Sequence, residues 1–379
     1  MGLAEVGWKP QDVRKALQST AVVYEAMYRV RRIGFYRVMR EIVRMGVRKR
    51  TTTLAKLKLI SRLDEEGVIG LRLDYYIHLM KLRVATVYIG KTLDCERLPQ
   101  VVPFLRSCIN LIPMGTLLTL YYPESARRER LEDVGVKYTV FYERVFREPD
   151  LKSYAEAIAE RPSALFEPRA LENHILREMK RLEKVDGKQL EEEILGEEIK
   201  AKVDNKNLAV IKIAELNPLT TKSFDVELGI RGDILKKHIE HAEKLMRGIR
   251  VRRIRGVTDS ARLALFLTIS GRDTLQLLRI VKALLRYPTV SSATISESKT
   301  EALIQILTPA NIGVIKDVGR TLRSITASYG LEFTDFYIGD MDTLKNYTIP
   351  FIKEREYSAL KKGWLERALR EAIKYIRKG

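Results

Sequence analysis

The chain has 379 residues, enough for roughly two to four domains with their own cores, and only two cysteines, Cys95 and Cys108. Its formal net charge is +19 and its pI is near 9.7, so an acidic partner is expected: nucleic acid first, then anionic membrane or acidic protein. Two cysteines allow neither a disulfide framework nor a Cys-based zinc site, no apolar run reaches the roughly 18 to 20 residues that span a bilayer, and Met1 to Pro10 lacks a signal-peptide core.

The expected location is therefore the cytoplasm, with both cysteines as small buried residues. Heavy use of Arg, Lys and Glu beside scarce Asn, Gln and Cys is the balance of thermophile proteins. The positive charge is concentrated: residues 1–62 hold 15 Lys or Arg against 4 Asp or Glu.

In chain order, Asp12 to Arg32 and Phe35 to Met45 read as helices divided by Gly34, and Thr51 to Glu66 as a third ending at Gly67. Val68 to Tyr76 follows as a strand. Val84 to Ile89 (strand), Leu98 to Cys108 (helix, with Pro103 inside it), a strand near Met114, Thr116 to Tyr122 (strand), Ala126 to Val134 (helix) and Val136 to Val145 (strand) complete the first half. Residues 147–206 are helical and carry an acidic stretch from Glu191 to Glu198. They read either as an arm that spaces two modules or as a connector packed on one of the sheets.

The same order then recurs. Leu208 to Leu216 is a short helix stopped by Asn217-Pro218, the next ends near Leu228, and Gly232 to Arg247 is a third. Ile249 to Arg255 alternates apolar and basic residues as an exposed strand does. Arg262 to Ser270, Val290 to Ser296, Ala302 to Leu307 and Phe333 to Ile338 are strands, with helices at Thr274 to Arg286 and Ala310 to Tyr329. The tail places Leu365, Ala368, Leu369, Ala372 and Ile376 on one stripe opposite Arg367, Arg370 and Lys374, which suits docking on its own domain better than a membrane surface.

Three helices with a basic strand make a winged helix-turn-helix, and βαββαβ makes a ferredoxin-like unit. The predicted fold class is thus α+β, an internal duplication of winged helix plus ferredoxin-like units. The divisions are residues 1–80 (first winged helix), 81–146 (first ferredoxin-like unit), 147–206 (helical linker), 207–258 (second winged helix), 259–340 (second ferredoxin-like unit) and 341–379 (tail helix).

Thr53 to Ile69 (TLAKLKLISRLDEEGVI) resembles the recognition helix and following turn of Lrp/AsnC-type regulators, and Pro288 to Gly339 resembles the latter part of their sensing and assembly domain. That resemblance implies a transcriptional regulator whose winged helix reads DNA and whose second domain pairs and sometimes binds an effector. Effector-binding relatives have a Gly-Asp turn between the middle strands. Here Glu297-Ser298-Lys299-Thr300 and Pro113-Met114-Gly115 stand instead, so the effector is left unknown.

The expected DNA contact is the face Thr51, Ala55, Lys58 and Arg62, helped by Thr52 and by Arg48, Lys49 and Arg50 at the helix N-terminus, where phosphate is favoured. The equivalent second helix mixes signs through Asp233, Lys237 and Glu240, with Lys236 beside them. Its strand offers Arg250, Arg252, Arg253 and Arg255 as backbone grips. His238 and His241 lie three apart but lack a third His or Cys, and no P-loop, GxGxxG or nucleophile elbow is present, so neither metal, cofactor nor catalysis is expected. Double-stranded DNA is the expected partner, bound by a pseudo-dimer within one chain or by a homodimer. An RNA- or ribosome-associated protein and a protein-interaction scaffold are the rivals.

Overall fold

The structure is a computed structural model that describes residues 7–100, 105–123, 137–152, 154–155, 162–196, 203–221, 224–347 and 374. The expected helix Ala126 to Val134 and the tail stripe around Leu365 lie outside the described residues.

Three helices open the chain, α1 (Pro10–Met27), α2 (Phe35–Arg44) and α3 (Arg50–Glu65), and their stripes Val13, Leu17, Tyr24 / Val38, Ile42 / Leu57, Ile60, Leu63 meet in one core. Strand β1 (Ile69–Tyr75) leads into β2 (Leu82–Ile89), β3 (Leu105–Ile112), β4 (Thr116–Pro123), β5 (Lys137–Phe141) and β6 (Glu143–Phe146). Two linker helices follow, α4 (Pro168–Leu182) and α5 (Gly187–Leu195). The second half supplies α6 (Asn205–Leu216), α7 (Phe224–Leu228), α8 (Gly232–Glu243), β7 (Met246–Ile254), α9 (Arg255–Thr258), β8 (Leu263–Ser270), α10 (Thr274–Leu285), β9 (Val290–Ile295), β10 (Glu301–Thr308), α11 (Ile312–Ser328), β11 (Glu332–Asp340) and β12 (Lys345–Asn346). Side-chain N-caps set several starts: Asp186 accepts from Gln189 N, Asp204 from Asn207 N, Asp273 from Gln276 N and Asn311 from Val314 N.

The strands form one ten-stranded sheet, in the order β5-β2-β4-β3-β11-β8-β10-β9-β6 with β12 beside β3, and a separate two-stranded ribbon. All the pairings are antiparallel, and the halves join where Ile338 and Gly339 of β11 face Ile112 and Leu111 of β3. β5 closes one end of the sheet and β6 the other, yet Tyr142 alone separates them in the chain. The linker helices lie on the second half: Leu171, Ile175 and Met179 of α4 and Leu190 and Ile194 of α5 share a core with Leu277, Leu278 and Val281 of α10.

The pairings of β6 with β9 and of β12 with β3 also join the halves, and the ribbon adds a further tie. β1 does not fold back on its own unit but pairs with β7, in register from Ile69↔Ile254 to Tyr75↔Met246. Gly248 lets β7 pass close against the residue that follows α1. A Cβ there would lie 2.2 Å from the carbonyl oxygen of Tyr28, closer than any side chain allows.

Three expectations fail in the first half. Leu98 to Cys108 is not a helix: a single turn at Leu98–Gln100 precedes β3, because the segment from Leu105 pairs with β4 and buries both its faces. The stretch near Met114 is the β3–β4 turn, not a strand. Cys95 and Cys108 are buried as expected, but they are joined in a disulfide, with Cα atoms 5.5 Å apart. The bond closes a loop of sequence separation 13, so its removal in a C95A/C108A variant is expected to lower stability by roughly 3 kcal/mol, read from urea denaturation with and without reductant. Equal unfolding midpoints would refute the bridge. In the second half, α8 stops at Glu243 and not at Arg247, since the ribbon begins at Met246.

Candidate anion-binding cavity

The ribbon separates two cavities whose charge balance differs. The larger, about 480 Å³, lies between α1, the start of β7, the linker helices and α10. Of its lining cations Arg29 is exposed and Arg31 half-buried, while the more deeply buried ones are answered by carboxylates: Arg247 lies 3.4 Å from Asp74 and 3.3 Å from Glu143, Arg250 lies 3.1 Å from Glu148, Lys282 lies 2.7 Å from Glu148, and Arg286 lies 2.9 Å from Glu178. Lys282 and Arg250 hold the Glu148 carboxyl down to about 2 against the upward push of burial. Buried charges matched in this way form an ionic core. His78 extends it, with Nδ1 2.7 Å from Glu143.

The smaller cavity, about 320 Å³, is not balanced. Six arginines line it, Arg72, Arg106, Arg144, Arg147, Arg252 and Arg253, against one carboxylate, Glu215. The crossing of distant elements brings them there, and the consecutive Arg252 and Arg253 sit at an irregularity in the β1–β7 ladder. Arg106 comes from β3, Arg144 from β6, Arg147 from the residues just after it, Arg72 from β1, and Arg252 and Arg253 from β7, while Glu215 ends α6. Ser291, Ser292, Gln305 and Asn346 add neutral polar groups; Phe146, Leu307 and Leu344 are apolar walls.

Some of these cations are already engaged. Glu215 holds Arg106 and lies 3.8 Å from Arg252, and Asp259 lies 3.1 Å from Arg253. Arg72 donates to the Leu216 carbonyl at 3.1 Å. Arg144 and Arg147 are different. They are buried, and no carboxylate among the described residues pairs with either. Arg144 donates through Nη2 to Ser292 Oγ at 3.3 Å, and Arg147 through Nη1 to the Pro288 carbonyl at 2.7 Å. Nε and Nη1 of Arg144 and Nε of Arg147 make no well-aligned hydrogen bond among the described residues, although the Tyr121 side chain stands close enough to Arg144 to favour its charged form.

Burial pushes the Arg147 guanidinium down to about 10 and Arg144 down from its ordinary range. It does the same to Arg252, to about 10, with Arg106 adding repulsion and Glu215 opposing it. Arg144 and Arg252 also stand 5.1 and 4.0 Å from the ring centroid of Phe146, which shields them from water without neutralising them. A buried cation with no counter-ion costs several kcal/mol. An anion entering here would recover that cost, which is the chemistry the cavity offers.

The structure scatters the residues that the sequence grouped as DNA contacts. Arg50, Thr51, Thr52, Ala55, Lys58 and Arg62 are exposed on α3, with Arg48 and Lys49 exposed just before it, though Arg62 is bridged to Glu66 at 2.8 Å and lies over the Trp8 ring. Lys236 and Lys237 are exposed on α8. The ribbon arginines are not free to grip a backbone. Arg250 is buried against Asp74, Glu148 and the Tyr28 carbonyl, Arg252 faces the cavity, and Arg253 and Arg255 both reach Asp259. His238 Nδ1 donates to Asn207 Oδ1 at 2.7 Å. Arg106, Arg144, Arg147 and Glu215 escaped the sequence reading. Their signal was the recurrence of charge inside strand-like apolar runs, FLRSCINLI and ERVFRE.

No protein-family model and no curated protein matches the chain. Among solved structures, the crystal structure of the siroheme decarboxylase NirDL is similar, with a TM-score of 0.45 and 10% identity over 93% of this chain and 98% of that one. The same enzyme in co-complex with an iron-uroporphyrin III analogue gives 0.43 and 12% identity over 85% and 92%. These findings correct the expectation of an Lrp/AsnC-type, DNA-binding transcriptional regulator without catalytic function: no regulator family matches, and the similar solved chains are an enzyme's. What that enzyme acts on does not pass to this chain at such identities. The architecture that stands is α+β with an antiparallel sheet, and no described helix is long and apolar enough to cross a membrane.

Proposed function

We propose that this chain binds a small organic polyanion, a molecule carrying two or more carboxylate or phosphate groups, in the arginine cavity between the ribbon and the shared sheet. One observation carries the reading: among the described residues Arg144 and Arg147 are buried cations without a carboxylate partner, in a cavity whose described lining has six arginines and one carboxylate. Evolution of a merely stable interior would neutralise or remove such charges, as the larger cavity does with Asp74, Glu143 and Glu148. Guanidinium forks match carboxylate and phosphate bidentately, and the serine hydroxyls and Gln305 amide beside them can orient the rest of the ligand. The volume of about 320 Å³ falls at the small end of ligand sites, roughly 300 to 1,000 Å³, which favours compact acids.

We infer also that the chain is a pseudo-dimer of two units, each three helices and a ribbon strand followed by antiparallel strands that reach the full βαββαβ order in the second unit, with the winged-helix and ferredoxin-like divisions near residues 80, 146, 206, 258 and 340. The element order of the second half supports this, as does the junction of β3 with β11.

The test is a titration of the full chain, followed by calorimetry and by thermal unfolding, with citrate, pyrophosphate, acetate and sodium chloride at matched ionic strength. Uroporphyrin, a polycarboxylate of the class held in one of the structures named above, is the large end of the panel. A saturable rise in melting temperature with a polyanion, absent with acetate and chloride, is the expected result. Equal shifts from every salt would mean screening alone and would overturn the reading.

A further inference from the structure

Glu215 occupies a position that local energetics disfavour. It is the penultimate residue of α6, where the helix dipole is negative and a carboxylate is repelled, and it is buried at 1% exposure. It is held there by Arg106, whose guanidinium it contacts and whose charge it keeps in place against desolvation. Its other neighbour is Arg252, with the nearest nitrogen 3.8 Å away. Arg106 is fixed on its far side by the carbonyl of Tyr347 and stacks 5.5 Å from the Tyr121 ring. Among the described lining residues no second carboxylate exists. The cavity thus already contains one carboxylate bound to one arginine, and two cations, Arg144 and Arg147, with none.

We propose that Glu215 is a built-in competitor that sets how tightly, and where, the anion binds: it withdraws Arg106 from the ligand and repels a second carboxylate from Arg252, confining the ligand's charge to the Arg144 and Arg147 end. This rests on the preceding reading that the cavity takes a polyanion. The consequence is a site of moderated affinity from which an anion can leave, since without Glu215 only Arg253 of the lining arginines, through Asp259, would have a carboxylate partner among the described residues and the anion would be held with little release. A like charge placed beside a bound anion opposes it strongly, whereas an amide of the same shape does not. Glutamine at 215 keeps an acceptor for Arg106 and removes only the negative charge.

Calorimetric titration of citrate into the wild-type chain and into E215Q decides the matter. E215Q is expected to bind citrate about tenfold more tightly or better, the effect of relieving one buried like charge. Because E215Q leaves Arg106 less compensated, R106M/E215M serves as the second variant. It deletes the pair together, keeps the cavity's net charge, and replaces both with apolar chains of similar length. Its citrate affinity is expected to stay within about threefold of wild type, since the pair is not where the ligand binds. Wild-type binding with no gain in E215Q overturns the competitor role alone. A loss of about tenfold or more in R106M/E215M does so too, because it would put Arg106 in contact with the ligand. Absence of citrate binding in every variant overturns both this inference and the cavity reading.

Discussion

Replacing Arg247 with alanine is expected to cost the fold roughly 3 to 5 kcal/mol, because it takes the guanidinium from buried Glu143 and leaves buried Asp74 with Arg250 alone. The side chain is 1% exposed and sits between Asp74, 1% exposed, and Glu143, fully buried. It also donates to the carbonyl of Ile194 at the end of α5 and lies 4.4 Å from the Tyr76 ring. One guanidinium therefore joins β1, β6, β7 and the linker. Urea denaturation at pH 7 measures the loss; a value under about 1 kcal/mol would mean that the pair contributes as little as a surface bridge. The pH dependence has a sign. Burial raises the Asp74 carboxyl, with Arg247 and Arg250 opposing, so the folded state already binds that proton more readily than the unfolded chain. Without Arg247 the opposition weakens. Asp74 then destabilises the fold while ionised, and the deficit of Arg247→Ala is expected to shrink as pH falls into the carboxylate range.

The contrast between the halves explains how far the sequence could be read. From Leu263 to Asp340 the apolar period, the caps Asp273 and Asn311 and the stop at Gly330 agree with one another, and the elements appear within a few residues of their expected places. Local chemistry there suffices. In the first half it does not: β3 carries apolar residues on both faces, and a strand buried on both sides has no alternation to mark it against a helix. The ribbon shows a second limit. Ile249 to Arg255 has the alternation of an exposed basic strand, and as a strand it was legible. That Arg250 and Arg252 point inward depends on Asp74, Glu148 and Glu215, carboxylates far away in the chain. Periodicity encodes which residues share a face, not what that face meets. The cavity arginines were hidden for the same reason, since β1, β3, β6 and β7 converge only through pairings between the two halves.

Arg144→Met combined with Arg147→Met is expected to act in the opposite direction to Arg247→Ala, raising the stability of the ligand-free chain while abolishing anion binding. Both guanidinium groups are withdrawn from water, and among the described residues neither has a carboxylate to repay the desolvation. Methionine has a similar length and fills the same space beside Phe146 and Ser292 without a charge. Buried charges replaced by well-packed apolar chains commonly stabilise by roughly 1 to 4 kcal/mol, and two unpaired cations belong at the upper part of that range. Sites kept for binding are where a protein retains such destabilising groups. Equilibrium denaturation without ligand should show the double variant unfolding at higher urea than wild type; with saturating citrate the order should narrow or reverse, because only wild type gains from the anion. A double variant less stable than wild type in the absence of any anion would show that these two arginines serve the fold, through the Pro288 carbonyl and Ser292, and would remove the physical ground for assigning the cavity to a ligand.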